Sequence, residues 1–162
     1  MMDTRLELID RCKTFNELLH DMELLLNREH LFYGHGTGNA KDESMAIVMY
    51  LSESNDVLDE EYLKTPLRDQ VQEKAKEVLY QRITKSKPLP YITNEAYFCG
   101  KKFYVDERVL IPRSPIAELI CNRFEPWVSP NSINRVLEIG TGSGCIALSI
   151  AEAFSNIEVV AT

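Results

Sequence analysis

Val136-Leu137-Glu138-Ile139-Gly140-Thr141-Gly142-Ser143-Gly144-Cys145 reads as an apolar strand tipped by a carboxylate, a turn with glycine at every second position, and a helix start. Gly140, Gly142 and Gly144 permit positive φ and keep Cβ atoms away from anything lying along the backbone. The first turn of the helix adds N–H groups that have no carbonyl of their own to pair with. Bare peptide beside free amides suits a nucleotide-type cofactor. The spacing is G-x-G-x-G; the dinucleotide fingerprint G-x-G-x-x-G would need glycine where Cys145 stands, which sets aside an NAD-dependent oxidoreductase.

Such a turn needs a strand and a helix to hold it, and both are legible. Ile133 to Ile139 carries four branched aliphatics, the pattern of a buried parallel strand. Ile146, Ala147, Ile150, Ala151 and Phe154 follow at helical spacing, and Ile157 to Ala161 supplies a second apolar run, completing a βαβ unit.

The earlier part of the chain has a different character. Thr14-Phe15-Asn16-Glu17 has the form of a capping box, after which Phe15, Leu18, Leu19, Met22, Leu25 and Leu26 recur at helical spacing. A shorter helix is predicted over Thr4 to Lys13 and another over Asp42 to Leu51. A fourth is predicted from the cap Thr65-Pro66 through Ile83, with Leu67, Val71, Ala75, Val78 and Leu79 on its apolar face. Tyr33-Gly34-His35-Gly36-Thr37-Gly38-Asn39 lies between helices; it lacks Gly-Lys-Ser/Thr and a preceding strand, so it is no phosphate loop, and His35 reads as a structural loop residue. Lys85 to Pro90 reads as a linker, Ala96 to Cys99 and Lys102 to Val105 as a hairpin turning at Gly100-Lys101, and Arg108 to Ile111 as a third short strand. Ser114-Pro115 caps a further helix that runs through Phe124.

Composition limits the partners. A net charge of −7 over 162 residues, with 27% charged and 44% hydrophobic residues, fits a soluble globular protein and argues against direct nucleic-acid binding. Glu53, Asp56, Asp59, Glu60 and Glu61 stand together without a basic residue, a solvated face or a docking surface for a basic protein. Cys12, Cys99, Cys121 and Cys145 are scattered without C-x-x-C, so no metal site is expected and the thiols read as reduced. The first ten residues lack a signal-peptide core and the longest apolar run, Met45 to Leu51, is too short for a membrane span, so the protein reads as cytoplasmic.

G-x-G-x-G with Glu138 before it resembles the first motif of class I methyltransferases that use S-adenosylmethionine. Phe103 to Arg113 further resembles the segment preceding the cofactor domain of protein glutamine N(5)-methyltransferases. After Pro112-Arg113 the release-factor branch continues Pro-Glu-Thr, whereas this chain has Ser114-Pro115-Ile116; with Tyr33 to Thr37 and Tyr97 to Gly100, this is similar to the branch acting on large-subunit ribosomal protein L-three. The resemblance implies an α/β protein in three parts. Residues 1–87 would be an all-helical substrate-recognition domain, residues 88–112 a linker and β-hairpin connector, and residues 113–162 the beginning, βαβ, of a Rossmann-like class I methyltransferase domain. It implies S-adenosylmethionine as cofactor, a large-subunit ribosomal protein as substrate, and methyl transfer to a glutamine amide nitrogen. Glu138, Gly140, Thr141, Gly142, Ser143 and Gly144 would line the cofactor, with Pro112 and Arg113 as further candidates and Ser114 as a helix cap.

In that family an Asn-Pro-Pro-Tyr motif holds the amide, and this sequence has none. Only 18 residues follow Gly144, so the chain is expected to be an amino-terminal part without catalytic residues, inactive by itself; the alternative is a non-catalytic module that binds a ribosomal or translation protein.

Overall fold

The computed structural model describes residues 4–52 and 58–162. Most of the acidic run, from Glu53 to Val57, lies outside the described residues. The chain divides into two compact units, residues 1–93 and 94–162. The break falls after a short helix, so residues 89–93, expected within a linker, complete the first unit.

The first unit is helical. A 3₁₀ helix, Thr4–Arg11, leads into α1 (Phe15–Arg28), α2 (Ala40–Ser52), α3 (Glu60–Leu63), α4 (Asp69–Thr84) and α5 (Leu89–Thr93). α1 forms where its apolar residues fall three and four apart, and Phe15, Leu18, Met22, Leu25 and Leu26 are buried. Its start is fixed as expected at Thr14, whose Oγ1 accepts the Glu17 N–H at 3.3 Å. The reciprocal bond is shifted by one residue, since Glu17 Oε2 accepts from Lys13 N at 2.6 Å rather than from Thr14 N. α2 begins two residues before the expected Asp42, because Asn39 Oδ1 accepts the Asp42 N–H at 2.9 Å. Ile9, Leu18, Met22, Leu26, Ile47, Val48 and Leu79, contributed by the 3₁₀ helix, α1, α2 and α4, form the centre of one core.

α4 departs from its expected start. Thr65 and Pro66 are not its cap: Pro66 forms an antiparallel bridge with Thr14, Thr65 O accepts from Phe15 N at 3.4 Å, and Lys13 O accepts from Leu67 N at 2.8 Å. Extended pairing holds these residues, and the helix opens at Asp69. Of the acidic run, Asp59 is a cap, its Oδ1 accepting the Tyr62 N–H at 2.7 Å, and Glu60 and Glu61 occupy the first turn of α3, where the helix dipole favours them.

The second unit contains β1 (Glu95–Phe98), β2 (Lys101–Tyr104), α6 (Ile116–Cys121), a 3₁₀ turn (Pro130–Ser132), β3 (Arg135–Glu138), α7 (Cys145–Ala153) and β4 (Glu158–Ala161). β1 and β2 are antiparallel, with Phe98 opposite Lys101. The turn is therefore Cys99-Gly100, one residue earlier than expected, both at positive φ (48° and 73°), as a two-residue type I′ hairpin requires.

No third strand forms at Arg108 to Ile111. Asp106 captures this backbone in a turn, its Oδ1 accepting from Arg108 N and its carbonyl from Val109 N. α6 also ends earlier than expected. Phe124 N donates to Leu119 O at 2.7 Å and Arg123 N to Ile120 O at 2.9 Å, a Schellman closure with Arg123 left-handed at φ 53°. Closure sends Phe124 to Phe154, ring centroids 6.1 Å apart.

β3 and β4 are parallel, pairing Arg135 with Glu158 through Glu138 with Ala161, and α7 connects them as a βαβ unit. The expected burial of β3 is corrected. Leu137 is 61% and Ile139 81% exposed, because among the described residues β3 has β4 as its sole strand neighbour and its inward side chains alone reach the cluster around α7. Among the described residues no helix is long and apolar enough to cross a membrane.

Candidate functional site

The glycine turn is built around one carboxylate. Glu138 ends β3, and its Oε2 accepts both the Thr141 hydroxyl at 2.9 Å and the Ala147 N–H at 3.0 Å. Ala147 is the third residue of α7, so the strand's terminal carboxylate caps the helix across the turn. Thr162 O accepts from Gly140 N at 2.8 Å and Thr141 N at 3.0 Å, and Thr141 O accepts from Gly144 N at 2.9 Å. Strand, turn, helix start and the end of β4 are thus one hydrogen-bonded assembly.

Gly140 and Gly142 adopt φ of 79° and 55°, and a Cβ built on either would meet nothing within 4 Å. Backbone conformation demands glycine there, and the space beside it is open. The amides of Cys145 and Ile146, in the first turn of α7, have no carbonyl within their own helix. Ser143 Oγ is buried and has no hydrogen-bond partner among the described residues, an uncommon state for a hydroxyl. The turn therefore combines an open peptide wall, helix-start amides without an intrahelical carbonyl and a hydroxyl unpaired among the described residues, a donor set that fits a polar nucleoside-type ligand.

Glu138, Gly140, Thr141, Gly142, Ser143 and Gly144, all expected at the site, share this turn. Pro112 is half-buried and Arg113 exposed, with no hydrogen bond joining either to the glycine turn among the described residues. The Arg113 guanidinium forms no ion pair among the described residues. Ser114 acts as the expected cap, its Oγ accepting from Ile116 N at 3.3 Å. Metal ligands are not assembled among the described residues.

The first unit holds a polar cluster that pattern reading overlooked. Arg82 Nε donates to Glu43 Oε1 at 2.5 Å, both side chains 4% exposed, and Arg82 Nη2 donates to Phe32 O at 2.8 Å. Thr37 Oγ1 donates to Glu43 Oε2 at 3.1 Å, and Gly34 N to Thr37 O at 2.8 Å. Tyr33 donates its hydroxyl to Leu26 O at 3.2 Å, under the Arg82 guanidinium; burial, then the Glu43 charge, pushes its pKa up. The glycine-rich segment is thus a crossover fastened from beneath by a buried ion pair. Its signal was available: Glu43 stands one turn before Ile47, and Arg82 lies beside Leu79 and Ile83, charges on apolar helix stripes.

No protein-family model matches the chain. Curated relatives do. The ribosomal protein uL3 glutamine methyltransferase of Francisella tularensis subsp. tularensis is 32% identical over 154 residues, 94% of this chain and 49% of that protein. The protein of the same name from Bordetella pertussis is 36% identical over 149 residues, 91% of this chain and 50% of that protein. The chain spans about half the length of these relatives. Nearly the whole of this sequence is thus similar to about half of each of two proteins named ribosomal protein uL3 glutamine methyltransferase.

Proposed function

We propose that the chain is part of an S-adenosylmethionine-dependent enzyme that methylates a glutamine side-chain amide of ribosomal protein uL3 and works in the cytoplasm. The observation that carries the reading is the glycine turn, with its open backbone wall, capped by the Glu138 carboxylate. The names of the relatives supply the substrate and reaction. On this reading the βαβ unit is the start of a Rossmann-like domain. The Gly140 to Gly144 backbone would lie along the methionine and ribose, and Ser143 Oγ would gain a partner. Glu138 would order the turn and face the cofactor's methionine end, with Pro112 and Arg113 flanking it. Bound S-adenosylmethionine supplies a sulfonium-activated methyl group.

A glutamine amide is a weak nucleophile because its lone pair is delocalised, so the enzyme must hold the nitrogen in line and stabilise its developing charge. No Asn-Pro-Pro-Tyr segment for that task is present in this sequence, so we assign this chain part of the cofactor site and the substrate-recognition unit, and no turnover of its own. The helical unit, with an excess of acidic over basic residues, suits recognition of a basic ribosomal protein.

Calorimetric titration of S-adenosylmethionine tests the reading, using this chain and a form extended to the length of its relatives. Weak or no binding is expected for the short form, and binding on the order of micromolar for the long one. Gly142→Val, which places a β-branched residue at positive φ, abolishes the latter. Absence of binding by the extended form would overturn the enzymatic reading in favour of a protein-binding module.

A further inference from the structure

Three cysteines distant in sequence stand in the second unit, where Cys99 packs against the cluster that contains Cys145. Cys145 opens α7 and is buried, Cys99 sits half-buried in the hairpin turn, and Cys121 closes α6 and is exposed. Cys99 Sγ is directed at α6, 3.8 Å from Ala117 O. One helical turn beyond Ala117, on the same face, stands Cys121. The Cys121 sulfur lies near enough to help push the Cys99 pKa up.

Turn chemistry does not account for cysteine at position 99. Its φ of 48° is a conformation that asparagine or glycine adopts at less cost, and these are the residues type I′ turns favour. Nor does metal binding account for the gathering, since no group of ligating side chains among the described residues is arranged to hold an ion.

We propose that Cys99 and Cys121 are a reversible thiol–disulfide pair oxidised by hydroperoxides, with Cys121 as the thiol that meets the oxidant and Cys99 as the resolving thiol. Exposure divides the roles. The Cys121 sulfur attacks one peroxide oxygen, the O–O bond breaks, and the thiol proton leaves with the second oxygen, as water from hydrogen peroxide or as the alcohol from an organic hydroperoxide, giving a sulfenic acid. Cys99 sulfur then displaces the sulfenic hydroxyl, which departs with the Cys99 proton as water. The two sulfurs lose two electrons and the peroxide gains them. Burial raises the Cys99 pKa, with the neighbouring sulfurs adding to it, so this thiol is less ionised than an exposed one. The product ties the hairpin turn to the last turn of α6.

The test treats the intact protein with hydrogen peroxide, alkylates the remaining thiols and maps the digest by mass spectrometry. The expected result is an intramolecular cross-linked peptide joining Cys99 to Cys121, about 2 Da lighter than the separate peptides and released by dithiothreitol. In Cys99→Ser, Cys121 is expected to stop at a sulfenic acid trapped by dimedone; in Cys121→Ser no cross-link forms and Cys99 stays unlabelled. A cross-link through Cys145, a disulfide between two molecules, or over-oxidation of Cys121 with Cys99 still free would overturn the proposal. The peptide map of the unmodified sequence decides the outcome even if a variant fails to fold.

Discussion

The two units solve the same burial problem to different degrees. In residues 1–93 the apolar faces of α1, α2 and α4 turn on one another, and even a charged pair, Arg82 with Glu43, is enclosed and hydrogen-bonded. In residues 94–162 a smaller cluster gathers Phe98, Ile120, Cys145, Ile150 and Phe154, while Leu137, Ile139 and Leu148 remain exposed. Helices can close a core among themselves; parallel strands need cover on both faces and further strands at their edges. The difference teaches that among the described residues the helices of the first unit cover one another's apolar faces, whereas a two-stranded parallel sheet leaves part of its apolar surface uncovered.

Substitution can break this comparison. The largest effect is expected from Arg82→Leu, which strands the Glu43 carboxylate in the core of the first unit and should lower stability by about 3–5 kcal/mol in urea unfolding followed by circular dichroism. A loss under about 1 kcal/mol would mean the pair is not enclosed. Next comes a matched pair of truncations. Leu79→Ala, in the helical core, should cost about 2–5 kcal/mol, and Leu137→Ala, on the exposed side of β3, within about 0.5 kcal/mol. Equal losses would erase the contrast between the units.

The smallest effect sharpens the picture of the helical core through pH. Burial, then the hydrogen bond to Asp21, pushes the Cys12 thiol from 9.0 up to about 12. A raised folded value means its contribution is fully present below pH 9.0 and lost as pH climbs toward about 12, where the unfolded chain ionises first. The stability difference between the natural protein and Cys12→Ala should therefore shrink over that window; a constant difference would place the thiol in contact with water.

Much of this was legible because local chemistry and tertiary structure agree. α1 follows its apolar stripe, and Glu138 with its glycines forms the turn its spacing describes. The misreadings arose where a distant or competing partner intervened. Thr65-Pro66 has a cap's composition but is held extended by residues 13–15, and Arg108 to Ile111 has strand composition but starts within a turn made by the Asp106 carboxylate. The end of α6 was displaced by a ring stacking on Phe154, a contact 30 residues away in sequence that no periodicity contains. The Glu43–Arg82 pair has no signature in residue type, although the helical positions of both charges place them inside.

Both donors at the tip of β3 converge on a single oxygen of Glu138, and among the described residues the other takes no hydrogen bond. A neutral amide at this position would still offer one oxygen to the same two groups. The shape of the loop is thus separable from its negative charge: the helix start favours an anion there, but the two hydrogen bonds need only an oxygen.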